Sequence, residues 1–327
     1  MMSASPRVSV IIPTYNRARY LPEAIRSALG QTFEDLELLI IDDGSTDSTP
    51  ELVRAIADPR LRYVQIDHGG ISVAMNAGLR NARGSFIARL DSDDVWLPEM
   101  LATLVGALDQ RPDAGVAYAQ GQAMSAAGAL IPYFQGRALR FPDDSFRSLV
   151  DDDCTCNVAL VARRECFERA GCYDESLLAN EDWDMWLRVA RHYRICFVDR
   201  VVVRIRWHGD NFTSLGAPHF REVLRQRSAP LDKLFSDPNL AADIRAMKSA
   251  AYAHVHQYCS LRFYESGDFR SAVHEYLRAV RASERPIITA LRIPWHASFP
   301  SIRKYAMGRR MMNLVAALGH SLGVDGA

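Results

Sequence analysis

The chain has no long apolar run, no surplus of charge and no paired cysteines. Nowhere do roughly 18 apolar residues follow one another, so no membrane-spanning helix is expected. Lys plus Arg and Asp plus Glu are equal at 39 each, so no global field points to nucleic acid. The start, MMSASPRVSVIIPTYN, has an apolar core too short for a secretory signal and is interrupted by Pro13. Six cysteines lack any CxxC spacing, so reduced structural thiols are expected, with Cys154-x-Cys156 the one pair close enough to consider as a metal or redox pair. Together these absences predict a cytoplasmic protein. A glycine-rich basic loop for a triphosphate is missing too: Pro13-Thr14-Tyr15-Asn16-Arg17 stands where a sugar nucleotidyltransferase would carry one.

What is present is an ordinary globular composition, 48% hydrophobic and 24% charged, over 327 residues. That length suits one large domain with an appendage, or two domains. The most informative stretch is Ala88-Arg89-Leu90-Asp91-Ser92-Asp93-Asp94, where a short apolar run ends in closely spaced acids. The run from Ser85 to Leu90 after Gly84 reads as a buried strand. Residues i and i+2 leave a strand on one face, so Asp91 and Asp93 can converge on a point. Carboxylates held that close repel unless a cation lies between them, and hard oxygen donors suit Mg2+ or Mn2+. Mg2+ takes few protein carboxylates and leaves positions for phosphate oxygens. Alone, an Asp-x-Asp also fits an acidic turn that caps the next helix.

The rest of the chain alternates in the same way. Strands are expected at Arg7–Ile12, Leu36–Ile41 and Leu61–Ile66. Helices are expected from Leu21 to a stop at Gly30, from an N-cap at Thr49 before Pro50, and over Ser72–Asn81. This order predicts a mostly parallel sheet with helices on both faces, whose ligands bind at the carboxyl ends of the strands. Thr14-Tyr15-Asn16, Asp42-Asp43 and Asp91-Ser92-Asp93 each follow a strand directly, so they should meet at one rim. Beyond Pro98 a helix to about Gln110 and a strand over Ala114–Gln120 are expected. Gly121–Asp153 reads as an irregular acceptor-side loop region. Strands follow at Asn157–Ala162, Ile195–Val198 and Val201–Trp207. Trp183, Trp186, Leu187 and Ala190 fall at helical spacing, with Asn180 as N-cap and acids in the first turn. From about Gly216 the strand signal ends, and Ala251–Tyr264 with Phe269–Val280 form a helical hairpin similar to one tetratricopeptide unit, which should pack on the domain or a partner.

With these residues in place the sequence resembles glycosyltransferase family 2, the inverting nucleotide-sugar transferases with the A-type glycosyltransferase fold. The resemblance rests on VSVIIPTYNR, QTFEDLELLIIDDGSTDST, RGSFIARLDSDDVWLPEML, NEDWDMWLR and RIRWHGDNFTS, in family order over about Val8 to Ser214. It implies a catalytic domain over 1–215, with a nucleotide-binding half at about 1–98 and an acceptor-side half at about 99–215, then a helical region over 216–327. It implies that Pro13, Thr14 and Tyr15 line the base and ribose with Ser92 nearby, and that Asp43 accepts from the uracil ring. Asp91 and Asp93 would hold Mn2+ or Mg2+ with His208, and Asp182 would be the catalytic base, with Glu181 and Asp184 as neighbouring alternatives. The partners implied are a nucleotide-sugar donor and a glycan or lipid-linked acceptor. A departure is Ala74-Met75-Asn76, where many members carry an arginine toward the donor; neutral Met75 makes no charge-assisted bond to phosphate. The Gln-x-x-Arg-Trp step and the spans of processive synthases are missing, which favours single additions. A degenerate, non-catalytic scaffold is disfavoured by the retention of Asp91, Asp93 and Asp182. In the tail, Arg303, Lys304, Arg309 and Arg310 lie beside Met311, Met312, Leu314, Val315 and Leu318. Two readings stand there: an ordinary packed helix, or an interfacial helix giving peripheral contact with the inner face of a membrane.

Overall fold

A computed structural model describes residues 5–211 and 219–283. The strands are β1 (Val8–Thr14), β2 (Leu36–Asp42), β3 (Leu61–Gln65), β4 (Phe86–Arg89), β5 (Val95–Trp96), β6 (Ala114–Ser125), β7 (Leu130–Gln135), β8 (Leu160–Arg163) and β9 (Arg194–Trp207). They form one sheet in the order β3-β2-β1-β4-β8-β6-β9-β5, with β7 paired to β6. β3, β2, β1 and β4 run parallel. From β8 onward the sheet is mixed, with β8 antiparallel to both β4 and β6.

Side chains alternate across β1 and β2 as the pleat requires. Val10, Ile12, Leu38 and Ile40 pack with Leu21, Ile25, Leu101 and Leu104 on one face. Ile11, Leu39 and Ile41 pack with Met75, Trp183 and Trp186 on the other. Both faces are thus covered, which explains why these strands read as largely apolar runs; the buried exceptions, Ser9 and Glu37, bond to each other at 2.7 Å. Each fully buried aliphatic side chain contributes about 1.5–3 kcal/mol as an upper bound.

The helices Leu21–Leu29, Ile71–Asn81 and Met100–Asp109 stand where periodicity predicts them, to within a residue or two. Gly30 ends its helix with φ −88°, not in the left-handed region, and Ser48 rather than Thr49 precedes the helix Thr49–Arg54. Asn180 precedes the helix Glu181–Ala190, but with φ 63° and no side-chain capping bond.

Two expectations need correction. Gly121–Asp153 is not an irregular loop: β6 runs on to Ser125, β7 returns along it, and a helix spans Ser145–Asp151. β6 extends because β9 offers a partner as far as Ser125↔Trp207. Leu149 and Val150 belong to the core, and Asp144 caps their helix by accepting from the N–H of Arg147. The segments Ile195–Val198 and Val201–Trp207 are one strand whose register against β6 shifts in the middle.

The helical hairpin is Lys248–Glu265 with Phe269–Ala282. It packs on the rest of the fold: Phe263 meets Phe220 edge-on, and the His254 ring nitrogen Nδ1 lies 2.7 Å from the Asp151 carbonyl. These helices and the sheet lie within one compact unit spanning Met1–Ile293. The basic tail from Arg292 to Leu322 lies outside the described residues. Among the described residues no helix is long and apolar enough to cross a membrane.

Candidate active site

The parallel order of β2, β1 and β4 brings three polar strand ends to one rim. Pro13 and Thr14 close β1 opposite Ile41 and Asp42. Thr14 Oγ1 is buried with no hydrogen-bond partner among the described residues. Tyr15 is 41% exposed and stacks on His68 at 4.2 Å between ring centroids. Asp43 is buried, and its two oxygens accept the N–H groups of Gly69 and Gly70 at 2.8 and 2.9 Å. Asp42 accepts from the Tyr63 hydroxyl and from the N–H of Ser45. Beside them lies an open cleft of ≈ 740 Å³ lined by Gly44, Gln65, Ile66, Asp67 and His68.

The acidic turn after β4 is met by the end of β9. β5 follows the turn and pairs antiparallel with β9, Val95 opposite Arg204. The same run of chain carries Arg206 and His208 to the acids. The Arg206 N–H donates to Asp94 at 2.8 Å, and its side chain donates to the Asp93 carbonyl at 3.0 Å and to Glu23 at 2.5 Å. His208 Nε2 lies 3.0 Å from Asp93 Oδ2, and the imidazole stacks on Tyr20. Arg17 Nε stands 3.8 Å from the same Asp93 oxygen. Ser92 is buried within the turn. Burial, then the charge of Asp91, pushes the Asp93 carboxyl up against the pull of His208. Burial and the charges of Asp93 and Asp91 push Asp94 further in the same direction.

Among the described residues no three His, Cys, Asp or Glu side chains are gathered into a metal centre. Asp93 and His208 offer two adjoining donors, and Asp91 accepts from Arg89 Nε at 2.7 Å. A sparse, carboxylate-led set beside crowded, charge-repelling acids fits a hard cation that shares its remaining positions with a ligand's oxygens.

Arg89 joins this rim to a second one. Its Nη1 donates to Glu181 at 3.0 Å, so a buried guanidinium ties Asp91 to the first turn of the helix Glu181–Ala190. Asp182 is the next residue. Burial, then the charges of Glu181 and Asp153, raise its carboxyl to about 7 against the opposing pull of Arg89. Its Oδ1 accepts the N–H of Trp183 at 2.8 Å. Asp184 is committed elsewhere, to Arg188 at 2.9 Å and Lys233 at 2.7 Å. Trp183 and Trp186 are core residues, each buried.

Sequence reading singled out the acids and His208 but not Arg17, Arg89 and Arg206. Arg89 sits two residues before Asp91, and an arginine inside a buried strand was the available signal. Met75 is buried against the sheet and its neighbour Asn76 clasps the backbone of Tyr173 at 2.8 and 3.0 Å, so this helix face serves packing.

The family model described as glycosyl transferase family 2 matches residues 9–159, the span that holds the three strand ends. An uncharacterised glycosyltransferase of Rickettsia typhi is 29% identical over 238 residues, which is 70% of this chain and 73% of that protein. A chondroitin synthase of Pasteurella multocida is 29% identical over 208 residues, 63% of this chain but only 21% of the synthase. Among solved structures, a mannosyltransferase from Pyrobaculum calidifontis in complex with GDP-Man and Mn2+ aligns with TM-score 0.59 at 21% identity, covering 99% of this chain and 89% of that one. S. aureus TarS 1–349 in complex with UDP-GlcNAc aligns with TM-score 0.54 at 19% identity, covering 84% and 91%. At these identities the structural likeness is one of fold. Together with the matched motifs, it makes the chain similar to the family 2 glycosyltransferases.

Proposed function

We propose that this glycosyltransferase moves a single sugar from a nucleotide-diphosphate sugar, foremost a UDP-sugar, to a hydroxyl of a glycan or glycolipid. Asp182 is the general base. Asp91, Asp93 and His208 would hold Mn2+ or Mg2+, and Pro13, Thr14, Tyr15, Asp43 and Ser92 form the nucleotide side. One observation carries this reading: Asp182 stands in the first turn of a helix whose first residue, Glu181, is tied through Arg89 to Asp91.

A base with a pKa near the working pH combines a sizeable ionised fraction with real proton affinity, and such a group contributes about 10²–10⁴-fold. Asp182 takes the proton of the acceptor hydroxyl as that oxygen attacks the anomeric carbon. The bond from that carbon to the diphosphate breaks on the opposite face, so the anomeric configuration inverts. A bound divalent cation would stabilise the negative charge that grows on the leaving diphosphate. Arg17, beside Asp93, adds a positive side chain at the same edge. Asp43 holds the loop at Gly69 and Gly70 in place and so shapes the cleft beside β2 and β3.

The test is a screen of nucleotide sugars, UDP-GlcNAc and GDP-mannose included, for nucleotide release in Mn2+. Turnover of at least one donor, lost in Asp182→Asn, supports the reading. Pyrophosphate release from a nucleoside triphosphate and a sugar phosphate, with no sugar nucleotide consumed, would overturn it.

A further inference from the structure

The base lies beside a residue from the helical segment that neither the strand-end motifs nor the reading above uses. Arg227 sits in the short 3-10 turn Gln226–Ser228, ahead of the helix Ala229–Ser236. Its side chain is only 17% exposed. The guanidinium donates to Asn180 Oδ1 and, at 3.2 Å, to Asp153 Oδ2. Its Cζ lies over the Trp183 indole, 5.0 Å from the ring centroid, and over the Tyr258 ring at 4.9 Å.

These contacts bracket Asp182 on both sides. Asn180, two residues before it, holds φ 63°, a left-handed conformation that asparagine tolerates but that must be held by its surroundings. Besides Arg227, Gln226 helps to hold it: the Gln226 side chain accepts from Leu178 N–H at 3.2 Å, and its carbonyl accepts from the Asn180 amide at 3.5 Å. Trp183, the residue after Asp182, is fixed between the guanidinium and the Leu149 carbonyl, which accepts its indole N–H at 2.9 Å. The Trp183 backbone N–H in turn donates to the Asp182 carboxylate. Contacts thus run from Arg227 to the indole, and from the Trp183 backbone to the base.

We propose that Arg227 is a positioning residue for Asp182, so that the helical segment completes the acceptor side of the active site. The fork of the guanidinium is what the role requires, because it engages Asn180 and Asp153 together while its charge lies over Trp183; lysine offers one point charge and no fork. The proposal rests on the reading of Asp182 as the base. Its expected signature is a loss of turnover with unchanged donor affinity, since the donor rim is formed by other elements.

The experiment measures nucleotide release with Mn2+, from whichever of UDP-GlcNAc and GDP-mannose is consumed, for wild type, Arg227→Met, Arg227→Lys, Asp182→Asn and Arg227→Met/Asp182→Asn. Misplacing a reacting group by about 1 Å costs up to about 10²-fold, so Arg227→Met should lower kcat by about 10- to 100-fold with donor KM unchanged. In the Asp182→Asn background the same change should matter by less than about 2-fold, because a residue acting through the base has nothing left to position. Should Arg227→Met not fold, Arg227→Lys decides: a lowered kcat at wild-type KM supports the role. Wild-type kcat in a folded Arg227 variant, or losses that multiply in the double variant, would overturn it. If Asp182→Asn keeps full turnover, the base assignment itself falls; if Asp182→Asn is inactive and Arg227→Met is not, only the positioning role does.

Discussion

His208 Nε2 stands 3.0 Å from Asp93 Oδ2 although 115 residues separate them in the chain. The contact exists because β9 pairs with β5 directly after the acidic turn, and Arg206 locks that pairing by binding the Asp93 carbonyl and the Asp94 carboxylate. A cation held at Asp93 would therefore brace two distant segments against each other. Mn2+ should raise the melting temperature of wild type and raise that of His208→Ala less, read by thermal unfolding with and without chelator. Equal Mn2+ shifts in the two proteins would remove His208 from the site.

Asp182→Asn is nearly isosteric and should leave fold and donor KM intact while lowering kcat by about 10²–10⁴-fold. Asp184→Asn should behave differently, because Asp184 is buried between Arg188 and Lys233. It should lower stability while the protein that remains folded keeps its turnover. The pair of variants, compared by steady-state kinetics and urea unfolding, separates base from structural acid. Loss of turnover in Asp184→Asn alone would reverse the assignment.

The raised carboxyl of Asp182 fixes two pH dependences. Turnover under kcat/KM conditions should rise with pH through an apparent value of about 7, as the base ionises. Stability runs the other way. The folded state binds this proton more tightly than the unfolded chain, whose carboxyl titrates near 3.8. The penalty for the charge is absent below that value, grows between it and about 7, and is complete above. Asp182→Asn should therefore match wild type in stability at pH 3.5 and exceed it at pH 8, measured by denaturant midpoints.

Arg89→Met should be among the most damaging substitutions in the chain. It leaves Asp91 and Glu181 without their shared partner; the cost of about 3–5 kcal/mol for breaking a buried pair applies to Glu181, whereas Asp91, 35% exposed, is screened by solvent and adds little. Removing the cation also raises the Asp182 carboxyl further, so in any folded fraction the acidic limb of kcat/KM should move to higher pH. An unchanged limb would mean that Arg89 and Asp182 are electrically separate.

Much of this was legible in the sequence where local pattern and burial agree. Leu36–Asp42 is apolar on both faces because both faces are covered, and its abrupt acidic end marks the rim. The turn after β4 and the helix Glu181–Ala190 were legible for similar reasons. The stretch from Gly121 to Asp153 was not. Gly121-Gln122-Ala123 has no strand signal of its own and is held extended by β9, while Leu149 and Val150 lie in a helix too short for periodicity to show. The arginines at 89, 206 and 227 gain meaning only from partners 92, 113 and 74 residues away, as in Arg89 with Glu181, Arg206 with Asp93, and Arg227 with Asp153. No window along the chain contains those pairs.

If the acidic turn binds a nucleoside diphosphate through a divalent cation, as proposed, calorimetric titration reads that binding without intermediary. UDP and GDP are titrated into wild type and Asp93→Ala, each with Mn2+ and with excess chelator. Binding to wild type should require Mn2+, and Asp93→Ala should bind neither nucleotide under either condition. Equal affinity of wild type with Mn2+ and with chelator would mean that no cation joins the diphosphate to the acidic turn.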